Sequence, residues 1–355
     1  MSLSRNCLVS VATYSYLSRA IVMADTFAEH NRGCEIILLV PDMSQAEVDS
    51  KVWPVGNSTR ILGVDALANP LVRKMHKYFD AFELCCALKS FLLQHALFVQ
   101  GFDNVVVLDP DTVCYGSFDA VWSALVCADI ILTPHTNSQM PEDGEAPDDL
   151  EFVTAGFING GFMAARKSPE AEICIDWMIG KVSDFGFFAP QFHLYADQTW
   201  MSCLPWYFPQ SVFVARHPGL NVAYWNLHER SLVRKGEGYL CNDEQLIFFH
   251  YSGHDAKRPI QLTKHSKRIF SPATNAAVSS LLSDYNERLI RVATQIPKLV
   301  PDFPCSRLSL KQRLKAFEAL RGEPAIISSG NQPLVGRIAN VTRSIVAKLR
   351  GLIRL

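Results

Sequence analysis

The sequence predicts an α/β fold on a mostly parallel sheet, and two observations predict it. Short, wholly apolar runs that read as buried strands alternate with longer stretches of helical periodicity over the first ~130 residues. The strongest of these strands ends in acidic side chains, and open parallel sheets gather their ligands at the carboxyl ends of the strands. The chain has 355 residues, 48% hydrophobic and 19% charged. That balance supports a large buried core and indicates neither a disordered nor a collagen-like chain.

Asn6 to Ala12 reads as a buried strand, Tyr16 to His30 has the apolar spacing of a helix, and Cys34 to Val40 is a second strand stopped by Pro41. Phe79 to Gln100 is a long helical pattern rich in Leu, Ala and Phe that leads into the valine strand Asn104 to Leu108. Asp129 to Thr133 is another short strand. Residues 137 to 153 are acidic, contain Pro and Gly, show no periodicity and read as a loop. Phe157 to Ala165 follows as a strand. Ser168 then suits an N-cap with Pro169 at the first helical position, opening a helix through about Ile179. Leu246 to Tyr251 repeats the buried-strand pattern. A helix over Ala273 to Gln295 precedes Pro297, Pro301 and Pro304, which divide the chain into a catalytic domain, 1–270, and a helical C-terminal region, 271–355.

No run approaches the ~18 apolar residues of a membrane span, and Ser10, Thr13, Tyr14, Ser15 and Arg19 interrupt what a signal peptide would keep apolar. The ten cysteines form no C-x-x-C pair. Cys85, Cys86, Cys127 and Cys174 stand in apolar segments where cysteine packs as a small hydrophobe. A reducing cytoplasm is expected and a zinc site is not. The net charge of −1 hides an asymmetry: residues 281 to 355 hold 13 Lys/Arg against 5 Asp/Glu, leaving 21 against 30 in the first 280. Such a split suggests attachment to an anionic surface.

The segment most informative about chemistry is Val105-Val106-Val107-Leu108-Asp109-Pro110-Asp111-Thr112. Carboxylates one residue apart at a strand end point the same way, and such a pair suits a hard divalent cation that also holds phosphate oxygens. Asp-Pro-Asp is also ordinary turn chemistry.

L-D-P-D-T-V-C-Y-G-S-F-D resembles the D-x-D signature of glycosyltransferases with the GT-A fold. Three later segments resemble the glycogenin-like branch: Phe157-Ile158-Asn159-Gly160-Gly161-Phe162-Met163, Ala196-Asp197-Gln198-Thr199-Trp200 and Phe249-His250-Tyr251-Ser252-Gly253. Four motifs in the right order over residues 5 to 265 are far more specific than any one alone. The resemblance implies a Rossmann-like GT-A sheet and a nucleotide-sugar donor, a UDP-sugar foremost. It implies Mn²⁺ or Mg²⁺ ligated by Asp109, Asp111 and His250, with imidazole favouring Mn²⁺. It places Asn159 and Gly160 beside the sugar and Asp197 and Gln198 at the sugar or the reacting face. It puts the nucleoside at Ala12, Thr13 and Tyr16, after the first strand, and makes Lys89 a basic residue facing the donor phosphates. A diphosphate-binding lysine of the family falls here on Ala256, so Lys257 or Arg258 would take that role. Simpler readings stand beside these: a core histidine at 250, a helix cap at Asp197 and an exposed helical lysine at 89.

Asn221-Val222-Ala223-Tyr224-Trp225-Asn226-Leu227-His228-Glu229-Arg230 resembles a signature of bacterial polysaccharide and cell-envelope glycosyltransferases. Its aromatics suit either a sugar face or core filling, and His228, Glu229 and Arg230 suit hydroxyl or charged groups. The expected activity is therefore metal-dependent transfer of a sugar to a glycan or glycolipid acceptor in polysaccharide or lipopolysaccharide biosynthesis, with retention favoured. An inverting enzyme would need Asp197, Glu229 or Asp255 as base. The alternatives are a sugar nucleotidyltransferase, disfavoured because Ala-Thr-Tyr-Ser-Tyr stands where a glycine-rich phosphate loop belongs, and a non-catalytic carbohydrate-binding protein. No nucleic-acid partner is expected. From Arg337 to Leu355, Ile338, Val341, Ile345, Leu349 and Leu352 recur at helical spacing among five basic residues. Residues 335–355 would lie on an anionic membrane surface, at the inner face of the membrane, or pack on protein.

Overall fold

The computed structural model describes residues 4–268, 272–299, 303 and 307–321. The basic stretch 335–355 lies outside the described residues.

The chain begins with strand β1 (Asn6–Val11), helix α1 (Leu17–His30) and strand β2 (Glu35–Val40), as the apolar pattern predicts. Strands β3 (Thr59–Gly63), β4 (Asn104–Leu108), β5 (Thr112–Cys114), β6 (Ile130–Pro134) and β7 (Ile158–Arg166) follow. The central sheet has seven strands, in the order Val212–Val214, β6, β7, β4, β1, β2, β3. All pairs are parallel except those of β7, which runs against both β4 and β6. This is the mostly parallel α/β sheet expected. Leu8, Ile36, Val106 and Ala164 face one packed layer, and Val9, Ile37, Val107 and Ala165 face the other. Burial on both faces is why these strands are apolar throughout rather than alternating.

Some elements depart from the sequence expectation. The helix predicted over Phe79 to Gln100 runs Ala81–Gln94, begun by a capping box between Asp80 and Glu83, and continues as a π-helical turn over His95–Val99. Together, Ala81–Val99 is long and apolar enough to cross a membrane, contrary to the expectation that no run comes near that length. Two-thirds of the qualifying window is buried, and Leu84, Leu88, Phe91 and Leu92 pack into the core, so it is the central helix of this domain. The expected loop 137–153 gives way at its end to a helix, Asp149–Ala155, capped by the Asp148 carboxylate. Phe152 is its one buried residue, which leaves no apolar stripe for periodicity to detect. The helix after Ser168 runs to Phe185. β5 stands between the D-x-D and the next helix, Asp119–Ala124. Cys127 is exposed rather than buried.

A second, three-stranded sheet joins Val222–Ala223, Phe248–His250 and β5. Its pairing sets His250 opposite Thr112, directly after the second aspartate. The helix Pro272–Ala293 covers this side. Leu281, Tyr285 and Leu289 are buried in the same core as the sheet, and Tyr285 stacks on Tyr251 at 4.0 Å.

Candidate functional site

Three chain segments meet at the carboxyl end of β4. Asp109 follows its last residue, and the Asp109 amide donates to the Gly161 carbonyl at 3.0 Å, tying β4 to the glycine pair of β7. Asp111 sits one residue further on, where its carbonyl accepts from the Tyr251 amide at 2.8 Å. That bond and the pairing of β5 bring His250 to the aspartates: its Nε2 lies 3.2 Å from Asp111 Oδ1 and 3.9 Å from Asp109 Oδ2. The ligating atoms of Asp109, Asp111 and His250 all fall within 4.8 Å of one another.

Lys89 is the second centre of charge, and it is buried. Its Nζ donates to Asp109 Oδ1 at 2.9 Å and to the Gly160 carbonyl at 2.8 Å, and pairs with Asp197 Oδ2 at 2.8 Å. The exposed-lysine reading is thus wrong, because one ammonium bridges the D-x-D to Asp197. Nor does Asp197 act as a cap. It precedes the short helix Gln198–Met201, yet its side chain makes no capping bond and turns to Lys89 instead. Ala196, buried and left-handed at φ 50°, turns the chain just before it. Gly160 packs closely beside this pair: a Cβ there would come within 3.3 Å of Asp197 Oδ1 and press on the carboxylate. The Gln198 amide accepts from the Gly160 amide at 3.2 Å and donates to the Ala155 carbonyl at 3.0 Å, joining β7 to the helix 149–155.

The electrostatics follow from these contacts. Burial lowers the affinity of Lys89 for its proton, but Asp109 and Asp197 together hold it charged well above the usual lysine range. Burial pushes the Asp197 carboxyl up against the opposing pull of Lys89. Burial likewise opposes charge on both Asp111 and His250, yet their mutual attraction wins: Asp111 is lowered and His250 raised. With His250 neutral, three carboxylates face one ammonium, leaving a double negative charge among oxygen and nitrogen donors. Such a donor set fits a divalent cation of the Mn²⁺ or Mg²⁺ type.

The remaining predicted residues spread around this centre. Ala12 is buried, its amide donating to the Leu39 carbonyl, and Thr13 bonds Ser15. Thr13, Tyr14, Ser15 and Asp42 line one side of a cleft of about 490 Å³. Tyr16 stands 45% exposed, with the Arg19 guanidinium 5.0 Å from its ring centre. Lys257 and Arg258 are exposed on a turn whose backbone amides both donate to Asp255, one to its side chain and one to its carbonyl. Asn159 is buried in β7, its amide engaged with Gly161, His135 and Asn221. In the 221–230 segment, Trp225 is buried edge-on to His250 at 5.2 Å, which matches the core reading more closely than a free stacking surface. Glu229 accepts from the amides of Asn137 and Ser138, and Arg268 clamps Asp143 and the carbonyls of Glu145 and Pro147. The acidic loop is therefore fastened at its start and across its middle.

Three further positions beside the site have no role assigned from the sequence. Asp42 receives the Tyr14 amide at 2.9 Å beside the cleft. Arg19 donates to Tyr285 Oη and the His254 carbonyl, and its charge helps to lower Asp111. Asn221 touches His250 itself. Arg19 carried a faint signal, a lone basic residue in the first turn of α1, and Asn221 heads the 221–230 segment noted above for its aromatics; Asp42 carried none.

No protein-family model matches the chain, and no curated protein matches it. Among solved structures it is similar to mouse xyloside xylosyltransferase 1 in its apo form, at 14% identity over 70% of this chain and 97% of that one, with a TM-score of 0.39. It is also similar to the galactosyltransferase LgtC in complex with donor and acceptor sugar analogs, at 14% identity over 83% and 97%, TM-score 0.49. An active-site mutant of LgtC gives 13% identity over 84% and 99%, TM-score 0.48.

Proposed function

We propose that this chain is a metal-dependent glycosyltransferase that moves a sugar from a nucleotide-sugar donor to a carbohydrate or lipid-linked glycan acceptor. One observation carries the reading: strand pairing closes the Asp109/Asp111 pair with His250 into a single donor cluster, and Lys89 couples that cluster to Asp197. Asp109, Asp111 and His250 would hold the cation, Mn²⁺ in preference to Mg²⁺ because of the imidazole. A cation held there would neutralise charge on the diphosphate leaving group.

The chain's own residues do the rest. Lys89 pairs with Asp109 and holds the Asp197 carboxylate beside the reacting sugar, where it stabilises positive charge developing at the anomeric carbon. Gln198 and Gly160 fix the backbone on which that sugar would rest. The cleft beside Thr13, Tyr14 and Asp42 suits a nucleoside, with Tyr16 as a stacking surface and UDP as the favoured nucleotide. Retention is favoured over inversion because Asp197 and Glu229, two of the three carboxylates considered as bases, are already paired or hydrogen-bonded to Lys89 and to the acidic loop. The fastened loop restricts water at the centre. A cytoplasmic site, with the basic residues 335–355 on the inner membrane face and a polysaccharide or lipopolysaccharide precursor as acceptor, accords with the charge asymmetry.

The test is a panel of nucleotide sugars scored by released nucleotide, with and without Mn²⁺. Release that requires both a specific donor and Mn²⁺, and rises with an acceptor glycan, is expected. Release of pyrophosphate from a nucleoside triphosphate and a sugar phosphate would point to the nucleotidyltransferase instead, and binding of sugar with no turnover to the carbohydrate-binding protein.

A further inference from the structure

Beside the candidate metal-binding edge lies a buried network of neutral polar groups. Its members are Thr133 and His135 on and after β6, Asn159 on β7, and Asn221 and Asn226 flanking the strand Val222–Ala223. All are buried, Asn221 and Asn226 completely.

The orientation of each amide follows from an unambiguous donor at the start of the chain. The backbone amide of Gly161 donates to Asn159 Oδ1 at 2.9 Å, so that oxygen faces inward and can accept a second bond. The donor of that bond is Asn221 Nδ2, at 2.9 Å, which also donates to Thr133 Oγ1 at 2.9 Å. With both N–H groups of Asn221 committed, its Oδ1 is the atom left for His250 Nδ1, 3.2 Å away. A carboxamide oxygen only accepts, so Nδ1 of His250 must carry the proton. The lone pair of neutral His250 is then on Nε2, the nitrogen that faces Asp109 and Asp111.

The remaining contacts keep Asn221 in place. Asn226 Nδ2 donates to the carbonyls of Asn221 and His135, each at 3.0 Å, and its Oδ1 receives the Ala223 amide at 2.9 Å. Asn221 has a left-handed backbone at φ 52°, which asparagine tolerates and β-branched residues do not. Gly161 lies so close to the same edge of the ring that a Cβ would stand 2.4 Å from His250 Cε1 and 2.7 Å from Nδ1.

We propose that Asn221 is a positioning residue for the metal centre: it fixes His250 in the tautomer and ring orientation that present Nε2 to the cation. This rests on the metal-dependent reading above. Partners of this kind, bonded to the distal nitrogen of a metal-ligating histidine, strengthen metal affinity about 10–100-fold.

Mn²⁺ is the probe, and no turnover is needed to read it. Loss of the free-ion EPR signal during titration gives the affinity, and pulsed EPR of the bound ion reports ¹⁴N coupling from a directly ligated imidazole. Asn221→Gly keeps the left-handed backbone and removes the acceptor. It is expected to weaken Mn²⁺ binding about tenfold or more and to diminish or alter the ¹⁴N coupling. Asn221→Asp keeps an oxygen for the Nδ1 proton and is expected to keep both. A folded Asn221→Gly variant with wild-type affinity and coupling would overturn the proposal. Where Asn221→Gly has no thermal transition, the aspartate variant decides: retained binding supports the role, and a folded Asn221→Asp that loses it overturns the role. Wild-type protein without saturable Mn²⁺ binding would overturn the metal reading itself, whereas normal wild-type binding with an indifferent Asn221→Gly would overturn only the positioning role.

Discussion

The carboxylate edge of the sheet and the amide wall behind it bury polar groups in opposite ways. At the edge, Lys89 is shared by Asp109 and Asp197, and Asp111 is paired with His250, so nearly every group carries charge. In the wall, the three asparagines and Thr133 are neutral by nature, and burial pushes His135 down to about 4, which keeps it neutral as well. Charged pairs make a strong site for a cation but are costly to bury and sensitive to the loss of one member. Satisfied amides add no net charge and still fix geometry. A region that binds an ion is left with surplus negative charge, and a region that aims a ligand is left with none.

The largest expected effect comes from breaking the charged region at its hub. Lys89→Met leaves Asp109 and Asp197 buried without their cation, and destabilisation of about 3–5 kcal/mol is expected, read as a fall in Tm. Sugar transfer should fall with it, and metal should restore part of the lost stability by replacing the missing positive charge. Next in size is Asp197→Asn, which should lower kcat on the order of 10²-fold while leaving nucleotide affinity nearly unchanged. Steady-state kinetics with a nucleotide competition assay separates the two. Equal losses of Tm and activity would return Asp197 to a structural role.

Gly161→Ala addresses the boundary between the two regions. Its Cβ would meet the His250 ring, so the ring must shift, and Mn²⁺ affinity is expected to drop about tenfold with the nucleotide site intact. Calorimetric titration of metal and of nucleotide checks this. The smallest effect is the pH dependence of the metal-free protein. His250 is raised in the folded state by Asp111 and Asp109, against burial. Its contribution to stability is therefore complete below ~6.5, the unfolded value, and lost as pH rises through the higher folded one. A decline of about 2–4 °C in Tm across that window is expected, and it should vanish in His250→Ala.

The two regions were also unequally legible in the sequence. The candidate metal ligands stood out because a valine strand ending in paired aspartates is both a hydrophobic pattern and a chemical one, and the motif order brought His250 with it. Lys89 was legible by position but not by environment, since a lysine in an apolar helix looks exposed until its partner, Asp197, is brought alongside from a distant segment. The wall left almost no trace. Asn221 and Asn226 sit at turns, where asparagine is expected for backbone reasons alone, and nothing local marks them as partners of a residue on another strand. The helix 149–155 was hidden because it buries a single residue, and the short edge strand Val212–Val214 because one side of it remains open to solvent.

The most direct test is whether Asp109, Asp111 and His250 hold a divalent cation. Mn²⁺ titration of the full chain, followed by EPR in the absence of any sugar nucleotide, tests that in wild type, Asp111→Asn and His250→Ala. One saturable site in wild type, lost in Asp111→Asn and weakened with loss of ¹⁴N coupling in His250→Ala, is the predicted result. Binding that is absent from wild type, or that is indifferent to both substitutions, would contradict it.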